Sequence, residues 1–224
     1  MSPHSARVVS VNVGLARDEE WAGTLKRTAI DKRAVAGPVE VGPLGLAGDE
    51  VADTVDHGGT YQAVYAFARE DLDHWAEQLG QPVTPGMFGE NLTTSGIDVN
   101  EALVGERWRI GSVLLEVVSV RIPCSVFKNW LGLHGYDDHQ WQKRFTALGR
   151  PGPYLRVLEP GTLTVGDEIV LEHRPDHDVS VTTLFKALTT HRTLLPRLVG
   201  LDCIDPEATA AAEKYVAGLG AHPS

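Results

Sequence analysis

Apolar and polar positions alternate over Arg7–Val13, with Val9, Val11 and Val13 on one face, the period of a half-buried strand. Similar short apolar runs recur at 39–41, 62–67, 108–110, Val113–Val120, 154–158 and 168–171. Turn-forming residues punctuate them: Pro38 and Pro43, Gly111-Ser112 between two of the runs, Pro160-Gly161, and Gly166-Asp167. Many short strands set off by Gly and Pro predict a mainly β fold, closed or sandwiched, with a few short helices.

Two segments switch to the helical period. Over Arg69–Leu79, Leu72, Trp75, Ala76 and Leu79 share one stripe, and Gly80 stands where a helix ends. The stretch 138–148 repeats the device with Trp141, Phe145, Leu148 and a following Gly149. After His173 a polar segment, 174–179, gives way to helical patterns at 182–190, 193–199 and 206–217. The last of these has Asp205 placed as N-cap and Pro206 at the first helical position. The predicted organisation is a β-rich domain over 1–175 and a small three-helix appendage over 176–224.

The 224 residues suffice for that arrangement. No run reaches the ~18–20 apolar residues that span a bilayer, and the start of the chain has no apolar stretch of leader type, so the expected address is cytoplasmic, without a membrane. The net charge of −10 argues against nucleic acid as a general ligand. That charge is uneven. Between Arg121 and Arg156 six basic residues (Arg121, Lys128, Lys143, Arg144, Arg150, Arg156) face two acidic ones, a +4 island in a −14 remainder. The island points to a small anionic ligand, while Lys143 and Arg144 read better as a solvated helix face.

The two cysteines, Cys124 and Cys203, form no CxxC pair, which disfavours a thiolate zinc site. Cys124 follows an apolar strand and a proline, and Ser125 onward can open a short helix. Arg121 and Lys128 lie three before and four after it. A helix N-terminus and cationic neighbours move a thiol pKa from about 8.5 toward ~3.5–7.5 and favour the nucleophilic, metal-ligating thiolate. A buried inert cysteine is the competing reading. Cys203 sits between acids and reads as structural. Glycine-bearing loops at His57-Gly58-Gly59, Gly45-Leu46-Ala47-Gly48-Asp49 and Gly86-Met87-Phe88-Gly89-Glu90-Asn91-Leu92 allow close backbone approach to a ligand, or are simply tight turns.

Taken in order, GLAGDE, HGGTYQAVYAF, FGENL, GERWRIG, VRIPC and GRPGPYLRVLEPG resemble the MOSC domain family, named for the C-terminal domain of molybdenum-cofactor sulfurases. The subgroup resembled is the bacterial YiiM-like one, which carries a small three-helix C-terminal domain. The resemblance covers roughly residues 7–173. It implies a MOSC-type β-barrel binding the molybdenum cofactor (molybdopterin), with Cys124 as the protein ligand of molybdenum through Arg121-Ile122-Pro123-Cys124. It implies Lys32 as a candidate for the pterin phosphate, and His57, Gly58, Gly59, Glu90 and Asn91 as loop residues around the cofactor. Arg121, Lys128, Arg150 and Arg156 join them from the basic island, with a solvent-facing strand residue as the alternative reading of Arg156. Val120 and Pro153 depart from the family pattern, which bears on pocket shape.

The resemblance further implies an oxidoreductase that reduces N-hydroxylated compounds (hydroxylamines, amidoximes) to amines. An external electron-transfer protein or reductase would supply the electrons, because two cysteines cannot hold a Cys₄ cluster. A homodimer is compatible with this. The alternatives are a carrier of molybdenum cofactor or persulfide sulfur on Cys124, and, third, thiol hydrolysis with His57 or His134 as base.

Overall fold

A computed structural model describes residues 5–24, 26–52 and 58–220. Its strands, in chain order, are β1 (Arg7–Val13), β2 (Arg17–Asp18), β3 (Arg27–Thr28), β4 (Arg33–Ala34), β5 (Val39–Gly42), β6 (Gly45–Leu46), β7 (Val64–Ala68), β8 (Leu92–Ser95), β9 (Arg107–Ile110), β10 (Val113–Val120), β11 (Pro153–Glu159), β12 (Gly161–Leu163) and β13 (Ile169–His173). The helices are α1 (Arg69–Leu79), α2 (Ser125–Leu133), α3 (Trp141–Leu148), α4 (Val181–Leu188) and α5 (Pro206–Gly220), with 3₁₀ turns at Thr60–Gln62 and Arg192–Leu198. Among the described residues no helix is long and apolar enough to cross a membrane.

Eight strands form one sheet in the order β13-β9-β10-β11-β7-β8-β1-β4, in which β7 and β8 run parallel and the other pairs antiparallel. A three-stranded sheet, β12-β5-β6, and the hairpin β2–β3 complete the set. The spine is β10, whose eight residues are all buried, so its sequence reads as an apolar run broken by Glu116 and Ser119 rather than an alternation.

Among the described residues the expected closed barrel does not form. β13 and β4 end the strand order. The β1 side meets the approach to β13 through the isolated bridge Arg7–Glu168 and through three bonds, from Val8 N–H to Asp167 O, from Gly166 N–H to Val8 O and from Ile169 N–H to Ala6 O. The far end of that β1 edge is occupied by β4, and β13 leaves along β9, so among the described residues the seam stays one short bridged contact. With five α-helices the fold is mixed and sheet-rich rather than mainly β. The face expected for β1 also differs. Val8, Ser10, Val11 and Asn12 are the buried residues, because the register shifts between Val8 and Ser10 and both sides of the strand are covered.

Around the sheet, α1 to α3 bury an aromatic cluster: Trp75, Phe88, Phe127, Trp141 and Phe145, with ring centroids 4.5–6.4 Å apart. Beyond β13, Val181, Leu184 and Phe185 of α4 are fully buried in the same apolar core, and Phe185 meets Phe145 at 6.4 Å. Asp205 caps α5 through Ala208 N–H and accepts from Ser119 Oγ at 2.6 Å, tying the last helix to β10.

Candidate functional site

β10 delivers its last buried residue, Val120, to an extended step, Arg121-Ile122-Pro123, and Cys124 then occupies the N-cap of α2 with φ −121° and ψ 175°. Pro123 cannot donate to a neighbouring strand, so the ladder stops and the chain turns into the helix. The thiol therefore stands at a strand end and a helix start, as its sequence position predicts. Cys124 lines a cavity of about 220 Å³ together with Arg121, Lys32, Asn91, Tyr65 and Tyr154.

Arg121 is deep in the molecule yet touches this cavity. Its Nη1 donates to Tyr154 Oη at 2.7 Å, and its guanidinium carbon lies 6.0 Å from the Tyr65 ring centroid and 5.8 Å from that of Phe127. Its Nε is buried without a hydrogen-bond partner among the described residues. Burial opposes the charge, but Tyr154, Cys124 and Tyr65 around it outweigh that cost and hold the guanidinium above its ordinary range. Tyr65 and Tyr154 are register partners across β7 and β11, with centroids 5.1 Å apart. The Tyr65 hydroxyl donates to Pro151 O at 2.6 Å, and burial pushes it well above the usual phenol range.

Lys32 forms a buried ion pair with Asp49, their side chains 10% and 8% exposed, with Nζ 2.6 Å from Oδ2 and also bonded to Oδ1. Asp49 further accepts from Gly14 N–H and from Asn91 Nδ2, each at 2.8 Å. Asn91 is fixed in turn, because its Oδ1 accepts from Tyr65 N–H at 3.0 Å. Burial lowers the Lys32 pKa despite the carboxylate beside it. The loop 86–92 approaches this pair closely: a Cβ on Gly86 would lie 2.3 Å from Lys32 O, and the φ of +84° there is a glycine conformation.

One wall of the cavity is the hairpin β2–β3, which contributes Ala22, Gly23, Thr24, Arg27 and Thr28. It is fastened to α2. Trp21 stacks on Trp130 at 5.9 Å and 27°, and Asn129 Nδ2 donates to Trp21 O at 3.0 Å.

Other candidates stand elsewhere. Glu90 is fully buried and accepts from Gly86 N–H (2.6 Å), Phe88 N–H (3.1 Å) and Thr93 Oγ1 (2.9 Å), so it folds the 86–92 loop rather than facing the cavity. Burial raises its pKa, against the pull of those donors. Arg150 pairs with Asp71 and Asp98. Arg156 Nε lies 2.6 Å from the buried Glu116, which also holds Arg107. Lys128 pairs with Asp138 at 3.3 Å. Gly58 donates to Gln62 Oε1 and Gly59 precedes the 3₁₀ turn, both beside the cavity rather than on it. His57 lies outside the described residues. The basic island thus disperses: one of its six cations, Arg121, reaches the cavity. Asp49, Tyr65 and Tyr154 were not singled out by the sequence, although each stands inside a segment that carries the resemblance, GLAGDE, HGGTYQAVYAF and GRPGPYLRVLEPG.

Comparison with known proteins gives a consistent set. The model of the MOSC domain matches residues 53–170. An uncharacterised protein, YflK of Bacillus subtilis (strain 168), is 30% identical over 174 residues, covering 78% of this chain and 76% of the relative. A protein named reductase from Gibberella moniliformis is 30% identical over 210 residues, covering 91% of this chain but 35% of that longer protein. The crystal structure of YiiM from Geobacillus stearothermophilus superposes with a TM-score of 0.77 at 26% identity, covering 93% of this chain and 98% of the other.

Proposed function

The chain belongs to the MOSC domain family, and from that premise we propose that it is a molybdenum-cofactor-binding oxidoreductase that reduces N-hydroxylated compounds to amines with electrons from an external donor. The observation that carries the reading is the meeting, on one cavity, of a thiol at the start of α2 and a buried guanidinium whose Nε has no partner among the described residues. An unsatisfied buried donor costs about 1–3 kcal/mol, and an anionic group of a ligand would relieve it.

The residues present fit molybdopterin. Cys124 Sγ offers the soft donor suited to a sulfur-rich metal centre. Arg121 offers a permanently charged fork for a phosphate. When bound, the cofactor supplies the two-electron redox chemistry of molybdenum. The chain supplies the rest. Arg121, propped by Tyr154 and sandwiched near the rings of Tyr65 and Phe127, keeps its charge where water is scarce. The hairpin β2–β3 forms one wall of the cavity. The reaction consumes two electrons and two protons, turning an N–OH into N–H and water. The name of the fungal relative, a reductase, supports the redox class.

The test uses the whole chain produced in a host that makes the cofactor. Molybdenum content is measured first, then amine formation from an amidoxime or hydroxylamine with reduced viologen. Loaded protein that forms no amine, yet accepts sulfur on Cys124 from a cysteine desulfurase, would replace this reading with a carrier.

A further inference from the structure

We propose that Tyr154 is a binding residue for the cofactor: its hydroxyl donates to the anionic group that Arg121 draws into the cavity, so that phenol and guanidinium form one oxyanion subsite. The proposal rests on the reading above and adds a residue to it.

The sheet fixes where Tyr154 stands. β11 lies between β10 and β7, and Tyr154 is the register partner of Ser119 on one side and of Tyr65 on the other. The chain is drawn in closely just before it. Gly152, at φ +73°, stands where a Cβ would meet Ala66 O at 2.3 Å, and its N–H donates to Asn100 Oδ1 at 3.0 Å. The Tyr154 ring packs on Tyr65 with centroids 5.1 Å apart, and the residue is buried on the cavity wall. A side chain locked by two strands and a neighbouring ring presents its hydroxyl at a constant place.

The two phenols of this corner use their protons differently. Tyr65 Oη donates to Pro151 O. Tyr154 Oη accepts from Arg121 Nη1 at 2.7 Å and donates to nothing among the described residues. A guanidinium has no acceptor, so the Tyr154 proton turns away from Arg121. Arg121 Nε is a second buried donor with no partner among the described residues. Buried donors are rarely left so. The side-chain acceptors on the wall are engaged elsewhere. Asp49 takes Lys32, Gly14 and Asn91, Glu50 takes Ala16 N–H at 2.8 Å, and Gln62 Oε1 takes Gly58 N–H at 3.3 Å. Two donors on bonded side chains therefore share the want of an acceptor from outside the chain. One of them is permanently cationic, so an oxyanion suits the pair better than a neutral oxygen. Two parts of a loaded cofactor share that chemistry, its phosphate and the oxygens on its molybdenum.

Tyr154→Phe keeps the ring and removes the hydroxyl. It is compared with the parent and with a chain carrying a ring-fluorinated tyrosine in place of Tyr154, a more acidic phenol that donates more strongly and accepts more weakly. Each is produced as the full chain in a cofactor-making host, with and without molybdate in the medium. Release of the pterin is followed by the fluorescence of its oxidised form. Tyr154→Phe is expected to release it about tenfold or more faster, the value of a hydrogen bond to a charged group. The fluorinated chain is expected to release it more slowly. A tyrosine that only props Arg121 gives the opposite sign, because fluorination weakens the acceptor, and this sign decides the matter if Tyr154→Phe does not fold. Faster release by Tyr154→Phe made without molybdate assigns the phosphate, and faster release confined to molybdenum-loaded protein assigns the oxygens on the metal. Parental release in Tyr154→Phe, or release from the fluorinated chain no slower than from the parent, overturns the proposal. A parent that carries no pterin sinks the functional reading, and Tyr154 is then judged by calorimetry with inorganic phosphate, whose Kd Tyr154→Phe should raise about tenfold. An unchanged Kd, or no binding of phosphate by the parent, overturns the subsite as well. A loaded parent that reduces nothing overturns the enzyme assignment and leaves the subsite standing.

Discussion

Arg121 gives one hydrogen to the Tyr154 hydroxyl at 2.7 Å and keeps its Nε buried with no partner among the described residues. A side chain half satisfied in this way is a standing invitation to an anion. Replacement of Arg121 by alanine is expected to lower molybdenum and pterin content about tenfold or more, a loss of roughly 1.5–3 kcal/mol for a charge-assisted bond. Arg121→Lys is expected to recover little, because an ammonium cannot reproduce the fork. Metal analysis and the fluorescence of the oxidised pterin read both.

Cys124→Ser is expected to abolish amine formation while leaving the melting temperature within a few degrees of the parent. Serine is nearly isosteric but a hard, weakly acidic donor. Cys203→Ser should behave as the parent, since Cys203 lies off the cavity and burial raises its pKa. Equal turnover in Cys124→Ser would remove the metal-ligand assignment.

Glu90 is expected to act on stability rather than on cofactor content. Glu90→Ala strands three donors and should cost on the order of 3 kcal/mol by urea unfolding. The pH dependence has a definite sign. Its native pKa lies above the unfolded one, so the stability it adds is complete below the unfolded carboxyl value and declines as pH rises through the native value. Asp71 shares that sign. The difference between parent and Glu90→Ala, followed across that window, isolates the contribution of Glu90. A flat difference would contradict it.

The dispersed cations make a further comparison. Arg150→Met leaves the buried Asp71 carboxylate with Asn100 as its remaining partner and should cost about 3–5 kcal/mol. Lys128→Ala removes an exposed pair and should change stability by less than about 1 kcal/mol. Both should keep parental molybdenum content. A fall in metal at unchanged stability, in either variant, would return that residue to the cofactor site.

Ending the chain at residue 176 removes α4, whose Val181, Leu184 and Phe185 are fully buried in the common core. At about 1.5–3 kcal/mol per side chain, the loss is on the order of 5 kcal/mol or more. Urea unfolding followed by circular dichroism should show a weakened transition with sheet signal still present. An unchanged midpoint would establish the first 176 residues as an independent folding unit.

What the sequence disclosed follows the distinction between local and distant causes. Pro123 stopping a strand, a helix opening at Ser125, Gly80 in left-handed geometry after α1 and Asp205 capping α5 are decided within a few residues, and each was legible. The partners were not. Glu116, Asp71 and Asp98 absorb Arg156 and Arg150 across 40, 79 and 52 positions, so a charge count along the chain could not tell a spent cation from a free one. Lys32 and Asp49 meet for the same reason. Tyr65 and Tyr154 face each other only through the register of β7 and β11, which no single segment encodes. The seam left short by β4 likewise depends on pairings formed far apart in the chain.

The place of β1 in the sheet also sets the order in which the molecule can assemble. Its ladder partner β8 is synthesised some eighty residues later, and the bridge from Arg7 to Glu168 waits for more than 150. A strand made long before its ladder partner spends the interval with one edge open and the other held only by the two residues of β4, and contacts of such long sequence separation slow folding. Refolding of this chain should therefore be limited by docking of its first strand. While β8 is still missing, on the ribosome or in dilute denaturant, that strand is the segment most in need of protection.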